Sequence, residues 1–200
     1  MTLNARRMPR YAVLLAAVAG TAAVAAPATY RLDPDHTYPS FVADHMGGLS
    51  KWRGKFNHSE GTVVLDPEAH TGSVEVRVQT ASIDFGNEKL NEHARSPDIF
   101  DAEKYPVATY KGTLAKFRDG KPTEVDGTLT LKGVTRPVVL RIGSFICRKH
   151  PMHGKEVCGA DASATIDRAA FGITYGKSFG FDMQTELAIQ VEAVRADAES

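Results

Sequence analysis

The chain has 200 residues, of which 24 are basic and 24 acidic, with two cysteines and one tryptophan. That length suits one domain with a real core and crowds two, so one is the default. If Arg6, Arg7 and Arg10 leave with an N-terminal leader, 21 basic residues face 24 acidic ones, which argues against nucleic acid or an anionic membrane surface as a partner.

In chain order, the three arginines precede an alanine-rich apolar run from Tyr11 to Ala26. This is the layout of a secretory signal peptide over residues 1–28, and the small residues Ala23 to Ala26 put cleavage near Ala25. The run is shorter than the ~20 residues a membrane helix needs, so export is expected and stable membrane insertion is not. A single domain is expected over residues 29–196.

Beyond the leader, Phe41, Ala43 and His45 share one strand face, and Trp52, Gly54 and Phe56 share another. Asp66-Pro67 marks a turn before the alternating Val74, Val76 and Val78. From Asn87 to Tyr105 the alternation stops, and charged residues around Ser96-Pro97-Asp98 suggest one or two short helical turns in a connection over a barrel end. Arg118 to Pro122 and Lys132-Gly133 then bracket Val125, Gly127, Leu129 and Leu131. Further period-two runs follow at Val138, Leu140 and Ile142, at Ala160 to Ile166, and at Leu187, Ile189 and Val191. About eight antiparallel strands joined by hairpins must satisfy their own edges, and closing into a barrel does that. Eight strands leave an interior that is either packed solid or holds one ligand.

Cys147 and Cys158 both lie in the part expected to reach an oxidising compartment, so a disulfide is the natural reading. Their spacing is far wider than C-x-x-C, which disfavours a redox or metal pair. His150 and His153 between them are too weak a signal for a metal site, and none is expected.

Several motifs together point to a family. They are Tyr30-Arg31-Leu32-Asp33-Pro34-Asp35-His36-Thr37, then His45-Met46-Gly47-Gly48 and Gly54-Lys55-Phe56, then Ala81-Ser82-Ile83-Asp84. His93-Ala94-Arg95-Ser96-Pro97-Asp98-Ile99-Phe100-Asp101 with Tyr105-Pro106 follows, and Gly127-Thr128-Leu129-Thr130-Leu131-Lys132-Gly133-Val134-Thr135-Arg136-Pro137 closes the set. With these the chain resembles the YceI-like, polyisoprenoid-binding family of exported bacterial proteins. The resemblance implies a lipocalin-like barrel in the periplasm that encloses an isoprenoid lipid, such as the tail of a quinone or a polyprenyl phosphate. No cofactor is expected apart from a bound isoprenoid lipid or quinone, and a homodimer stays open. The sequence departs from the usual family pattern at Asn91, Ala94 and Ile99, all in the mouth-covering connection.

A prenyl chain offers almost nothing to hydrogen-bond, so its site must be an apolar tunnel with a few polar groups at one end. By themselves these aromatics read as ordinary barrel core; the resemblance implies instead that Phe41, His45, Trp52 and Phe56 contact the ligand, with Phe85, Phe100, Phe117 and Phe171 adding bulk. His93 and Arg95 are the expected partners of a head group. Gly54, Gly61 and Gly127, inside strand patterns, are read as bends or as room beside a bound chain. At ~0.8 kcal/mol per buried CH₂, one isoprene unit gains at most about 4 kcal/mol. Three or four units therefore approach the ceiling of roughly −20 kcal/mol for any non-covalent complex.

Two other classes compete with a lipid carrier. An exported hydrolase using the same cavity would need a positioned nucleophile and base or a three-ligand metal, and no G-x-S-x-G, H-E-x-x-H or paired-carboxylate motif is found. A stress-response module working through its outer surface would have a filled interior.

Overall fold

In the computed structural model, which describes residues 27–196, every run of alternating residues predicted from Val74 onward forms a strand. The strands are β1 (Ala28–Leu32), β2 (Tyr38–His45), β3 (Ser50–Phe56), β4 (Ser59–Asp66), β5 (Thr71–Gln79), β6 (Ile83–Asp84), β7 (Val107–Ala115), β8 (Glu124–Leu131), β9 (Val134–Lys149), β10 (Glu156–Asp167) and β11 (Gln184–Arg195). Cleavage near Ala25 lies outside the described residues; Ala28, the last residue expected of the leader, opens β1.

Eight strands close a barrel in the order β1-β4-β5-β7-β8-β9-β10-β11, with β1 pairing back onto β11. All pairings are antiparallel. The edge of β11 is shared. Its C-terminal end pairs with β1 at Tyr30 to Leu32, and its N-terminal half pairs with β2 at Tyr38 to Ala43. From β2 the sheet continues through β3 to β6, so these three strands form a flap beside one end of the barrel. The expected barrel with one helical connection is thus present, with three strands more than it requires.

Local chemistry explains the joints. Lys132 and Gly133 take φ of 50° and 76°, as a two-residue hairpin with the right twist demands. In β9 the register slips: Ile142 faces Ala162 but Ser144 faces Asp161, which leaves Gly143 as a bulge. The slip shifts the inward phase by one, so Val138, Leu140 and Ile142 are followed on the inner face by Phe145. The break in alternation is Asn87 to Tyr105, and it holds one helix, α1 (Glu88–Arg95). The Asn87 side chain accepts from the Leu90 N–H at its start, and Glu88 and Arg95 sit where the helix dipole favours their charges. Asn91 is buried and accepts from the Phe85 N–H at 2.8 Å, pinning α1 to the end of β6, while Ala94 is fully buried beneath it. Among the described residues no helix is long and apolar enough to cross a membrane.

Cys147 and Cys158 face each other across β9 and β10 and are bonded. They lie 11 positions apart in the sequence, so the cross-link removes loop-closure freedom from the unfolded chain. Reduction, or the double change of Cys147→Ser with Cys158→Ser, should cost about 2 to 3 kcal/mol. Urea denaturation with and without reductant measures this, and coincident curves would show that the hairpin is held by its strand pairing alone.

Candidate functional site

The barrel is hollow. A cavity of about 310 Å³ runs inside it, at the lower end of the range for small-molecule sites. Its wall is the inward residues of the alternating runs, among them Val76, Leu129, Leu140, Ala162 and Ile189. Aliphatic side chains sit inside because the outer faces of the same strands carry the charges. On β5 and β7, for example, Glu75 and Lys111 pair in solvent at 2.8 Å.

Few polar groups reach the cavity, and most are already engaged. Tyr30 donates to Glu156 at 3.1 Å, Thr37 to the Glu192 carbonyl at 3.1 Å, and Ser40 to the Tyr38 carbonyl at 3.1 Å. Tyr110 lies across Gly127 and reaches the Val138 carbonyl at 2.8 Å, with the Val125 carbonyl at 3.1 Å. Burial pushes its phenol up to about 12, so it stays a neutral donor locked onto backbone. Two polar atoms stand apart. Arg168 Nε and Thr185 Oγ1 are buried in the wall without a hydrogen-bond partner.

An aromatic row leads out of the cavity. Ring centroids run from Phe100 to Phe56 (5.4 Å), Phe41 (5.9 Å), Phe85 (5.6 Å), Trp52 (6.3 Å), His45 (5.6 Å) and Phe181 (5.2 Å). Gly54 makes this possible, since a Cβ there would lie 2.7 Å from the Phe41 ring and 2.8 Å from Phe85.

Of the residues singled out in the sequence, Phe41, Phe56, Phe85 and Phe100 line the cavity. His45 and Trp52 join the aromatic row beyond its end and do not line it. His93 and Arg95, expected to meet a head group, lie outside the lining. His93 packs edge-on against Tyr175 at 4.6 Å, and Arg95 is tied to Glu88 at 2.6 Å. Glu88, two helix turns before Arg95, holds its guanidinium outside the chamber, whereas His93 Nε2 is buried beside Tyr175 without a hydrogen-bond partner. Phe117 stacks on His70 at the opposite end of the barrel, and Phe171 is buried core behind the wall. The three strand glycines also differ from expectation. A Cβ at Gly61 would come within 2.3 Å of the Glu75 carbonyl and one at Gly127 within 2.5 Å of Tyr110, so with Gly54 they make room for the protein's own atoms. The sequence reading missed Tyr110, Arg168 and Thr185. The last two continue the inward phases of Ala160 to Ile166 and of Leu187 to Val191, and that phase was the available signal.

The comparison with protein families fits this geometry. The model of the YceI-like domain matches residues 30–194. The chain belongs to that family. A Vibrio cholerae UPF0312 protein is 33% identical over 187 residues, spanning 92% of this chain and 96% of its own length. A protein YceI of Salmonella arizonae is 31% identical over 184 residues, spanning 90% and 94%. Among solved structures, the Campylobacter jejuni YceI protein superposes with a TM-score of 0.62 at 26% identity, covering 74% of this chain and 88% of that one. Burkholderia cenocepacia BcnA gives 0.64 at 23% identity over 80% and 98%. A polyisoprenoid-binding domain from Saccharophagus degradans gives 0.59 at 15% identity over 84% and 98%, a likeness of fold alone.

Proposed function

We propose that this YceI-like protein is exported to the periplasm, where it binds and carries a long-chain isoprenoid lipid such as a quinone or a polyprenyl phosphate. The observation that carries the reading is the hollow, almost wholly apolar interior. A packed core would bury the same residues with no space left, whereas this barrel keeps about 310 Å³ walled by Val, Leu, Ile and Phe. The polar groups of the wall are spent mostly on the protein's own backbone, which suits holding a hydrocarbon tail rather than reacting with it. The fold is shared with a domain described as polyisoprenoid-binding, and family membership supports the same class of ligand. The arginine-flanked apolar leader and the cystine support export.

Native mass spectrometry of protein purified without organic solvent, before and after incubation with a quinone and with a polyprenyl phosphate, tests the reading. A one-to-one adduct whose mass matches a prenyl lipid is expected. Protein that stays free of both after incubation would remove the basis for the assignment.

A further inference from the structure

Among the described residues that line the cavity, Arg168 is the one that carries a charge. It follows β10, two positions beyond the inward Ile166, and Ile166 lies opposite Thr185 in the β10–β11 register. The two side chains therefore reach the same end of the cavity. Arg168 is held firmly from the other side: its backbone N–H donates to the Met183 carbonyl, its carbonyl accepts from Ile173, and its Nη1 donates to the Ile173 carbonyl at 3.2 Å. Its Nε–H, however, is buried without an acceptor, and so is the hydroxyl of Thr185, a residue only 6% exposed. Asp167, Asp44 and Asp182 act on the guanidinium only through space, and none forms an ion pair with it.

Two buried donors left open at one end of a hydrocarbon-lined chamber are costly unless something accepts from them. One of the two also carries a positive charge that no carboxylate balances at contact distance. A neutral carbonyl would satisfy the hydrogen bonds and leave the charge as it is. An oxyanion would satisfy both, because guanidinium donors suit phosphate and carboxylate oxygens best.

Resting on the isoprenoid reading above, we propose that Arg168 and Thr185 form the head-group station of the cavity and select an amphiphile whose apolar tail ends in an oxyanion, a phosphate or a carboxylate. The tail fills the barrel, and Nε of Arg168 with the Thr185 hydroxyl donates to the head. Burial already lowers the guanidinium's proton affinity, a bias that an anion beside it would reverse.

The test compares farnesyl monophosphate, farnesol and palmitate as probes by titration calorimetry, with wild type, Arg168→Gln and Thr185→Val. Wild type is expected to bind farnesyl monophosphate at least about tenfold tighter than farnesol. Either substitution should erase most of that preference and leave farnesol affinity within about twofold. Arg168 also braces Ile173, so circular dichroism must show each variant folded; if Arg168→Gln does not fold, Thr185→Val alone decides. Equal affinity of wild type for phosphate and alcohol overturns the head-group station and leaves the tail cavity standing. Parallel loss of both probes in folded variants overturns it too. Palmitate bound in an Arg168-dependent way, with both farnesyl probes rejected, supports the station and fails the isoprenoid reading. Rejection of all three probes overturns both.

Discussion

Replacing Gly127 with alanine is expected to lower the stability of the barrel by about 4 kcal/mol, the sum of roughly 3 for overpacking and roughly 1 for a displaced buried hydrogen bond. The added methyl group would sit 2.5 Å from the Tyr110 ring and hydroxyl and 2.6 Å from the Lys111 carbonyl. Gly112 lies directly opposite Gly127, so β7 and β8 meet here without side chains and the phenol crosses between them to β9. Tyr110 cannot move aside without leaving its own buried hydroxyl unpaired against an apolar wall. The strain should therefore be specific to the pair. In a Tyr110→Ala background, the cost of Gly127→Ala should shrink to what the Lys111 carbonyl alone imposes. A double-mutant cycle by urea denaturation reads the coupling, expected to exceed about 1 kcal/mol. Strictly additive penalties would show that the ring is free to yield and that Tyr110 does not brace the sheet.

Much of the barrel could be read from periodicity, and much of the site could not. Val74 to Val78 and Leu187 to Val191 announced strands with one apolar face, and those faces became the cavity wall. The residues that the resemblance and side-chain bulk point to as ligand contacts are mostly aromatic. Inside a closed barrel the sign of a site is phase. Any residue on the inward register lines the space, and small ones such as Ala160 and Ala162 define it by leaving it empty. Phe117 and Phe171 are large but off that register or beyond its end. Arg168 and Thr185 carry no signal of that kind in the sequence, for the opposite reason. Each is a polar residue that extends an apolar run by one step, and only the β10–β11 pairing shows that they arrive together. His93 and Arg95, the expected partners of a head group, lie in the one stretch without alternation, where the sequence does not show what surrounds a side chain. The neighbours that occupy them, Tyr175 and Glu88, became apparent only once α1 had a direction and an end.

The emptiness at Ala162 carries the most direct expectation about function. Ala162 points into the cavity from the middle of β10, between Ile142 of β9 and Ile189 of β11. Phenylalanine there would occupy part of the chamber without touching the head-group end. It should weaken binding of a prenyl lipid by about a hundredfold, which is about 2.7 kcal/mol and less than the most that one displaced isoprene unit can contribute. The same change should leave the unliganded fold as stable or more so, since atoms that line a void lack partners on one side and the new ring supplies them. Ordinary core mutations do the reverse, because they lose stability first and function as a consequence. Titration with a prenyl lipid and thermal unfolding without it separate the two cases. Unchanged affinity in a stably folded Ala162→Phe variant would mean that the tail lies somewhere other than inside the barrel.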